Sequence, residues 1–167
     1  GMPGRYRGFN SPPGTPGDSG LNIIPTDHRG ERVTEVRFGD FGQQVLRGMR
    51  RSIAVLAQEG INVIVDDVII EKSFVADYVD ALAGLDVTMV GVRCDKSTVQ
   101  QRELTRPGRF PGTATWHFER VHEHTFYDVE VDTSTMSRRE CAERVLETLA
   151  NRPSPSAMDR LREKLDV

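Results

Sequence analysis

Amphipathic patterns predict three long helices in this chain. Between about residues 40 and 58, apolar residues recur at three- and four-residue steps, with polar residues between them. The same period returns over residues 72–83 and 137–150. Gly60 and Gly84 follow the first two stretches as helix stops, and Ser137 with Glu140 forms a capping box at the start of the third. The apolar set of the first helix is Val45, Leu46, Met49, Ile53 and Leu56, whereas Arg47, Arg50 and Arg51 fall elsewhere.

Short apolar runs between these helices predict strands. Residues 61–68 read I-N-V-I-V-D-D-V, which is apolar without alternation except at Asn62 and is typical of a strand covered on both faces in a parallel sheet. Residues 87–93 and 127–131 predict two further strands, and a short helix is expected near 97–104. Residues 34–38 alternate weakly and predict a short edge strand or hairpin arm.

The order of these elements predicts an α/β fold. Strands that alternate with helices form right-handed crossovers, which give a parallel sheet with helices on both faces. We expect a Gly/Pro-rich loop region at residues 1–38, the α/β domain at 39–151 and a short helix within 152–167. That last segment could dock on its own domain or on a partner subunit.

Composition and charge restrict the class further. A chain of 167 residues is about the size of one domain, and its net charge of -3 gives no basic footprint for nucleic acid. No apolar run approaches the roughly 20 residues that a membrane span needs. Cys94 and Cys141 are expected as free, buried thiols. No signal-peptide pattern follows Met2, which predicts a cytoplasmic protein.

Charged side chains gather where the predicted strands end. Ligands of open parallel sheets bind beyond the carboxyl ends of the strands, so we expect the nearby acids and arginine to meet there. An Arg-rich loop follows the short helix. Phosphoryl transfer uses such groups: a carboxylate near Mg²⁺, and arginines that meet the charge developing in the transition state. The same residues, taken alone, could equally form a charged surface and cap turns. The residues concerned are Asp66, Asp67, Arg93, Asp95 and Asp132 at the strand ends and Arg102, Arg106 and Arg109 in the loop.

The phosphate-binding loop of such sites does not occur in these 167 residues. That loop reads G-x-x-x-x-G-K-[ST], so that backbone N–H groups and one lysine surround the phosphates. Lys72 and Lys96 are each followed by Ser, but Glu71 and Asp95 precede them where the loop would have glycine.

Five collinear pieces between about residues 40 and 150 resemble the chloramphenicol phosphotransferase family. The most specific is Y-D-V-E-V-D-T at residues 127–133, with E-C-A at 140–142 downstream. The other pieces are V-I-V-D-D-V at 63–68, V-G-V-R-C at 90–94, Arg102-Glu103 with residues 106–109, and residues 122–127.

The resemblance implies a P-loop kinase that uses ATP and Mg²⁺ to phosphorylate an alcohol of a small molecule, chloramphenicol in the founding member. By position, Asp66 resembles the family's acid near Mg²⁺, and Asp67 resembles its neighbour facing the acceptor. Arg102, Arg106 and Arg109 resemble the lid arginines, the first two toward the nucleotide.

The resemblance also places the family's first strand, phosphate loop and first helix upstream of the segment that begins Met2-Pro3. We therefore expect a P-loop NTPase-like three-layer fold without these parts, which binds ATP and Mg²⁺ weakly and is inactive by itself. In the family, the first strand lies between the strands at residues 61 and 87, so either those two pair directly or another chain fills the gap. Because exposed central edges invite pairing, we expect a homo-oligomer.

Three explanations stay open. A late start codon or a cut in a longer gene would leave a truncated kinase. A relative that lost its phosphate loop would persist as a non-catalytic, oligomeric binding module. The third is a different P-loop small-molecule kinase, or a protein without a nucleotide function. The acceptor cannot be predicted from these residues.

Overall fold

In a computed structural model that describes residues 2–166, the N-terminal part forms a small sheet. β1 (Arg7–Phe9) lies parallel to β2 (Leu21–His28), which pairs antiparallel with β3 (Glu31–Phe38). Arg29 and Gly30 join β2 to β3, both with positive φ, as a tight hairpin turn requires. A 3-10 turn at Gly4–Tyr6 and α1 (Pro16–Ser19) complete this part.

The predicted loop region at residues 1–38 instead contains β1, α1 and β2, and the strand predicted at 34–38 begins earlier, at Glu31. The side chain of Asn22 on β2 holds much of this N-terminal region in place. Its side chain is fully buried, its carbonyl oxygen accepts a hydrogen bond from the Ser11 N–H, and its amide donates to the Ser11 carbonyl, both at 3.0 Å. These bonds attach the Pro-rich loop to β2 through a contact between residues 11 positions apart, which composition alone does not reveal. The division of the chain at residues 38 and 151 stays a prediction.

The predicted helices form. Both partners of the Ser137–Glu140 capping box are engaged, with the Ser137 N–H donating to the Glu140 carboxylate at 2.7 Å. Ser156 and Asp159 make a second capping box at the start of the last helix. The helices after β3 are α2 (Asp40–Gln58), α3 (Lys72–Ala81), α4 (Lys96–Thr105), α5 (Thr113–Phe118), α6 (Arg138–Ala150) and α7 (Ala157–Leu165).

A second sheet confirms the α/β class. β4 (Val90–Arg93) and β5 (Val129–Asp132) lie parallel, with Gly91 opposite Glu130. Both strands are shorter than predicted. Gly91 is required there because a side chain would meet the ring of Tyr127 at less than 3 Å.

The strand predicted at residues 61–68, here called the apolar segment, does not form. Residues 61–70 have no regular secondary structure, and Ile64 is 99% exposed. A strand needs a neighbour to bond its backbone groups, and no strand within residues 2–166 pairs with this segment. The apolar segment and β4 therefore do not pair directly, and the expected sheet is reduced to β4 and β5.

The hydrophobic core lies between α2, α3 and α7. Ala54, Val75, Val79 and Leu161 are buried there, with further apolar side chains packed around them. α7 thus docks on its own domain. The amphipathic face of α2 is only partly covered, because Met49 and Leu56 of the predicted apolar set are exposed whereas Arg50 is buried. None of the helices within residues 2–166 is long and apolar enough to cross a membrane.

Candidate functional site

Asp67 is fixed by a hydrogen bond from a neighbouring helix. The Tyr78 hydroxyl on α3 donates to its carboxylate at 2.8 Å, and the Val68 N–H donates to the other carboxylate oxygen at 2.8 Å. The Arg50 guanidinium lies 3.7 Å from Asp67. Burial, and after it the bond to Asp67, raises the pKa of Tyr78, so the hydroxyl stays a donor. Asp67 is thereby held in one orientation.

Arg50 links α2 to α3 beneath this carboxylate. Its side chain is 1% exposed, and Nη1 donates to Asp77 Oδ2 at 2.9 Å. The guanidinium lies over the rings of Phe74 and Tyr78, at 4.3 and 5.0 Å from their centres. Cation–π contact and the two carboxylates offset part of the cost of its burial, while Nε and Nη2 make no hydrogen bond to the described residues. Arg50, Asp67, Asp77 and Tyr78 form what we call the Arg50 cluster.

Asp66 differs from its neighbour. It is exposed and has no hydrogen bond or ion pair with another side chain in residues 2–166. A free carboxylate beside a fixed one is suited to bind a cation or a water shell. Within that part of the chain, however, no group of three or more His, Cys, Asp or Glu side chains could hold a metal.

Arg102 lies at the carboxyl ends of β4 and β5. Its guanidinium donates to the Thr133 carbonyl at 3.0 Å, to the Thr133 hydroxyl at 3.1 Å and to Cys94 Sγ at 3.4 Å. Ser134 adds to this edge, because it accepts from the Asp95 N–H and its own N–H donates to Asp132. Arg93 instead pairs with Glu130. The charged residues that were predicted to lie together therefore form two separate groups. No hydrogen bond or ion pair within residues 2–166 joins this edge to the Arg50 cluster.

The loop with Arg106 and Arg109, which we call the arginine loop (residues 106–112), is held at its end. Glu103 accepts hydrogen bonds from the N–H groups of Gly112 and Ala114, at 2.8 and 2.7 Å. Thr34 of β3 donates to the Pro111 carbonyl at 2.6 Å. Both arginine side chains are exposed. The N-terminal sheet therefore supports the arginine loop.

Gly112 and His117 show how tightly this loop meets β3 and α5. A side chain at Gly112, where φ is 87°, would lie 2.8 Å from the Val33 backbone. Burial, with the charge of Arg109 adding to it, lowers the pKa of His117 to about 4. His117 is thus neutral at pH 7.

The residues present do not fit a nucleoside triphosphate. Lys72 and Lys96 begin α3 and α4, and the acids Glu71 and Asp95 occupy the N-cap positions. Phosphate favours helix N-termini because of their free N–H groups, but an acid at the cap repels it. Lys96 is also engaged, with Nζ 3.1 Å from Glu31. Lys96 is therefore paired with an acid, and Lys72 follows an acid where a phosphate loop would have glycine.

Sequence reasoning missed the residues that hold this site. Arg50 falls outside the predicted apolar set of α2, and nothing in the sequence marks Tyr78 or Glu103 as a residue of the site. The sequence signal is the position of Arg50. Of the three arginines in this strongly amphipathic helix, it is the one that lies beside the apolar face.

The helices and the parallel pair β4–β5 make this a mixed α/β protein, an architecture consistent with a P-loop kinase-like fold. A family model described as chloramphenicol phosphotransferase-like protein matches residues 25–150. The chain belongs to this family. The match includes β3, the Arg50 cluster and the five residues to which the resemblance gives roles, Asp66, Asp67, Arg102, Arg106 and Arg109.

Two similar proteins come from two strains of Mycobacterium tuberculosis and carry the provisional name O-phosphotransferase. Each is 34% identical to this chain over 114 residues, which are 68% of this chain. The match covers 51% of each relative, so the chain spans about half the length of these relatives.

Proposed function

We propose that this chain is the acceptor and lid portion of an O-phosphotransferase that moves a phosphoryl group from ATP to an alcohol of a small molecule. The family match over residues 25–150 carries the proposal, because it covers the two acids and the three arginines. The provisional name of the mycobacterial relatives supports the same type of reaction.

Each candidate residue has a distinct part in this proposal. Asp66, exposed and free, is the acid near Mg²⁺, and Asp67, fixed by Tyr78, faces the acceptor hydroxyl. Arg106 and Arg109 are free on the arginine loop to meet phosphate charge. Arg102 donates a hydrogen bond to the Thr133 carbonyl. It therefore positions α4, the helix before the arginine loop, against the sheet, and contact with the nucleotide is its second proposed role.

The 167 residues alone are proposed to be inactive. Catalysis of phosphoryl transfer is mostly the positioning of phosphates and charge, and the cap acids at Lys72 and Lys96 oppose that positioning here. The alternative is a non-catalytic, oligomeric binding module derived from the same fold, which the exposed apolar segment favours.

The sequence of the DNA upstream of Met2 distinguishes the phosphotransferase from the non-catalytic binding module. If it encodes in frame an apolar strand followed by G-x-x-x-x-G-K-[ST], the longer polypeptide should phosphorylate a hydroxyl compound in a panel that includes chloramphenicol. Asp66→Ala should then abolish most of that activity, whereas Glu147→Ala, a substitution on the exposed face of α6, should leave it unchanged. An immediate in-frame stop codon upstream would favour the binding module.

A further inference from the structure

The arginine loop has a free half and a held half. Within residues 2–166, the backbone groups of Gly108 and Arg109 make no hydrogen bond to another backbone group. Gly108 has a φ of 76°, in the left-handed region that favours glycine. From Phe110 onward the chain is held, because the Thr113 N–H and hydroxyl both donate to the Phe110 carbonyl, at 3.2 and 2.7 Å. Arg109 is therefore the last residue of the free half.

The peptide group between Pro111 and Gly112 is held from both sides. Its carbonyl oxygen accepts a hydrogen bond from the Thr34 hydroxyl of β3 at 2.6 Å, and its N–H donates to the Glu103 carboxylate of α4 at 2.8 Å. A peptide group is planar, so two bonds on its opposite sides fix its orientation. This group lies two residues after Arg109, and its orientation sets the direction of the chain that carries this arginine.

The N-terminal sheet packs closely around this peptide group. Thr34 is only 4% exposed, and a side chain at Gly112 would meet the Val33 backbone. Phe110 also stacks on Phe9 of β1, with the ring centres 5.6 Å apart. Because the Thr34 hydroxyl belongs to a buried residue, loss of its hydrogen bond would leave the Pro111 carbonyl unsatisfied.

The position of Arg109 is felt by a titrating group on α5. Burial, and after it the charge of Arg109, lowers the pKa of His117, whereas the charge of Glu103 opposes this effect. Arg120 acts in the same direction as Arg109, with a smaller effect. Because the interaction between charges weakens with distance, the pKa of His117 depends on where the Arg109 guanidinium lies.

We propose that Thr34 is a positioning residue for Arg109: through the Pro111 carbonyl, its hydroxyl holds the arginine loop so that the guanidinium lies beside α5, where it can meet phosphate charge. Thr34 precedes the stretch of the chain that resembles the family in sequence, and it contacts none of the reacting groups. Its hold on the loop is independent of the activity, but its importance for phosphoryl transfer rests on the proposed function.

Thr34→Val tests the hold on the loop in the 167-residue chain. The substitution replaces the hydroxyl by a methyl group in a residue type that strands favour. A methyl carbon approaches a carbonyl oxygen only to about 3.3 Å, so the Pro111 peptide must move. We expect hydrogen–deuterium exchange of the Gly112 amide to quicken at least roughly tenfold, as for a lost charged hydrogen bond. An NMR titration should give His117 a pKa closer to the ordinary 6.5.

Matched variants separate the hydroxyl from general loosening. Thr34→Ser keeps the hydroxyl and should retain slow exchange at Gly112 and the low pKa of His117, whereas Thr34→Ala should behave like Thr34→Val. Thr148→Val removes a hydroxyl bond to the Arg144 carbonyl on α6 and should change neither measurement. Unchanged exchange in Thr34→Val, an unchanged pKa of His117, or equal effects of Thr34→Ser and Thr34→Val would overturn the proposal.

The transfer reaction separates this proposal from the proposed function. In the longer polypeptide described above, Thr34→Val should lower kcat at least roughly tenfold, because a group misplaced by about 1 Å is costly. The KM for the acceptor should stay unchanged, because the arginine meets charge that develops in the transition state. An active polypeptide whose kcat is the same in Thr34→Val would overturn the role in transfer. An inactive unmodified polypeptide, with exchange and titration as expected, would contradict the proposed function and leave the hold of Thr34 on the loop established.

Discussion

At the scale of single residues, the Arg50 cluster joins stability to the candidate site. One buried guanidinium pairs with Asp77, lies over two aromatic rings and approaches Asp67. Charges this deeply buried are retained only when partners compensate the loss of hydration. The same contacts that stabilise the packing of α2 against α3 therefore orient the carboxylate proposed to face the acceptor.

Removal of Arg50 should be costly. Arg50→Ala leaves Asp77 without its partner and opens a space between Phe74 and Tyr78, so we expect a loss of about 3–5 kcal/mol in the free energy of unfolding. Urea denaturation followed by circular dichroism measures it. Arg139→Ala is the control: Arg139 also bonds a carboxylate, at 2.7 Å, but is 87% exposed, and the expected loss is below about 1 kcal/mol. Equal losses would contradict the account.

His117 should make stability depend on pH. Its folded pKa, about 4, is below the ordinary value of 6.5, so between these pH values unfolding takes up a proton. The stability that neutral His117 contributes to the folded state is fully present above pH 6.5. It is lost as the pH falls toward 4, by about 1.4 kcal/mol in the free energy of unfolding per pH unit.

The comparison with His117→Gln isolates this effect. Urea denaturation at several pH values between 6.5 and 4 should show a steeper loss of stability in the unmodified chain than in the variant. Parallel pH profiles would show that His117 is not buried in its neutral form.

At the scale of elements, periodicity predicted the helices well because each one carries its own signal. The period of 3.6 and the Ser137–Glu140 cap are local, and α2 and α6 lie where they were predicted. Strands depend on partners. The apolar segment has the composition of a strand but no neighbour within residues 2–166, whereas the polar, Pro25-containing β2 forms because β3 lies beside it.

The arginine loop shows the same dependence on distant contacts. Glu103→Ala should release the N–H groups of Gly112 and Ala114, because the carboxylate accepts from both. Hydrogen–deuterium exchange should then quicken at these two amides by at least roughly tenfold, the ratio that corresponds to a lost charged hydrogen bond. Glu147→Ala is the control on α6 and should not change exchange in the loop. Unchanged protection in Glu103→Ala would mean that β3 alone holds the loop.

At the scale of the whole molecule, the family could be predicted from the sequence, but the geometry of the site could not. Collinear pieces such as residues 127–133 predict the family from sequence alone, and the family match confirms it. Three contacts shaped the site without any local signal: Arg50 with Asp77, Arg102 with Thr133, and Thr34 with Pro111, 77 positions apart. Such contacts arise only when the chain is folded.

We propose that the acids and arginines of this chain serve phosphoryl transfer but do not hold a triphosphate by themselves. The most direct measurement incubates the purified 167-residue chain with radiolabelled ATP, Mg²⁺ and a panel of hydroxyl compounds. We predict no transfer of label to any acceptor above the level of a buffer control. Transfer that the unmodified chain catalyses and Asp66→Ala does not would contradict the claim.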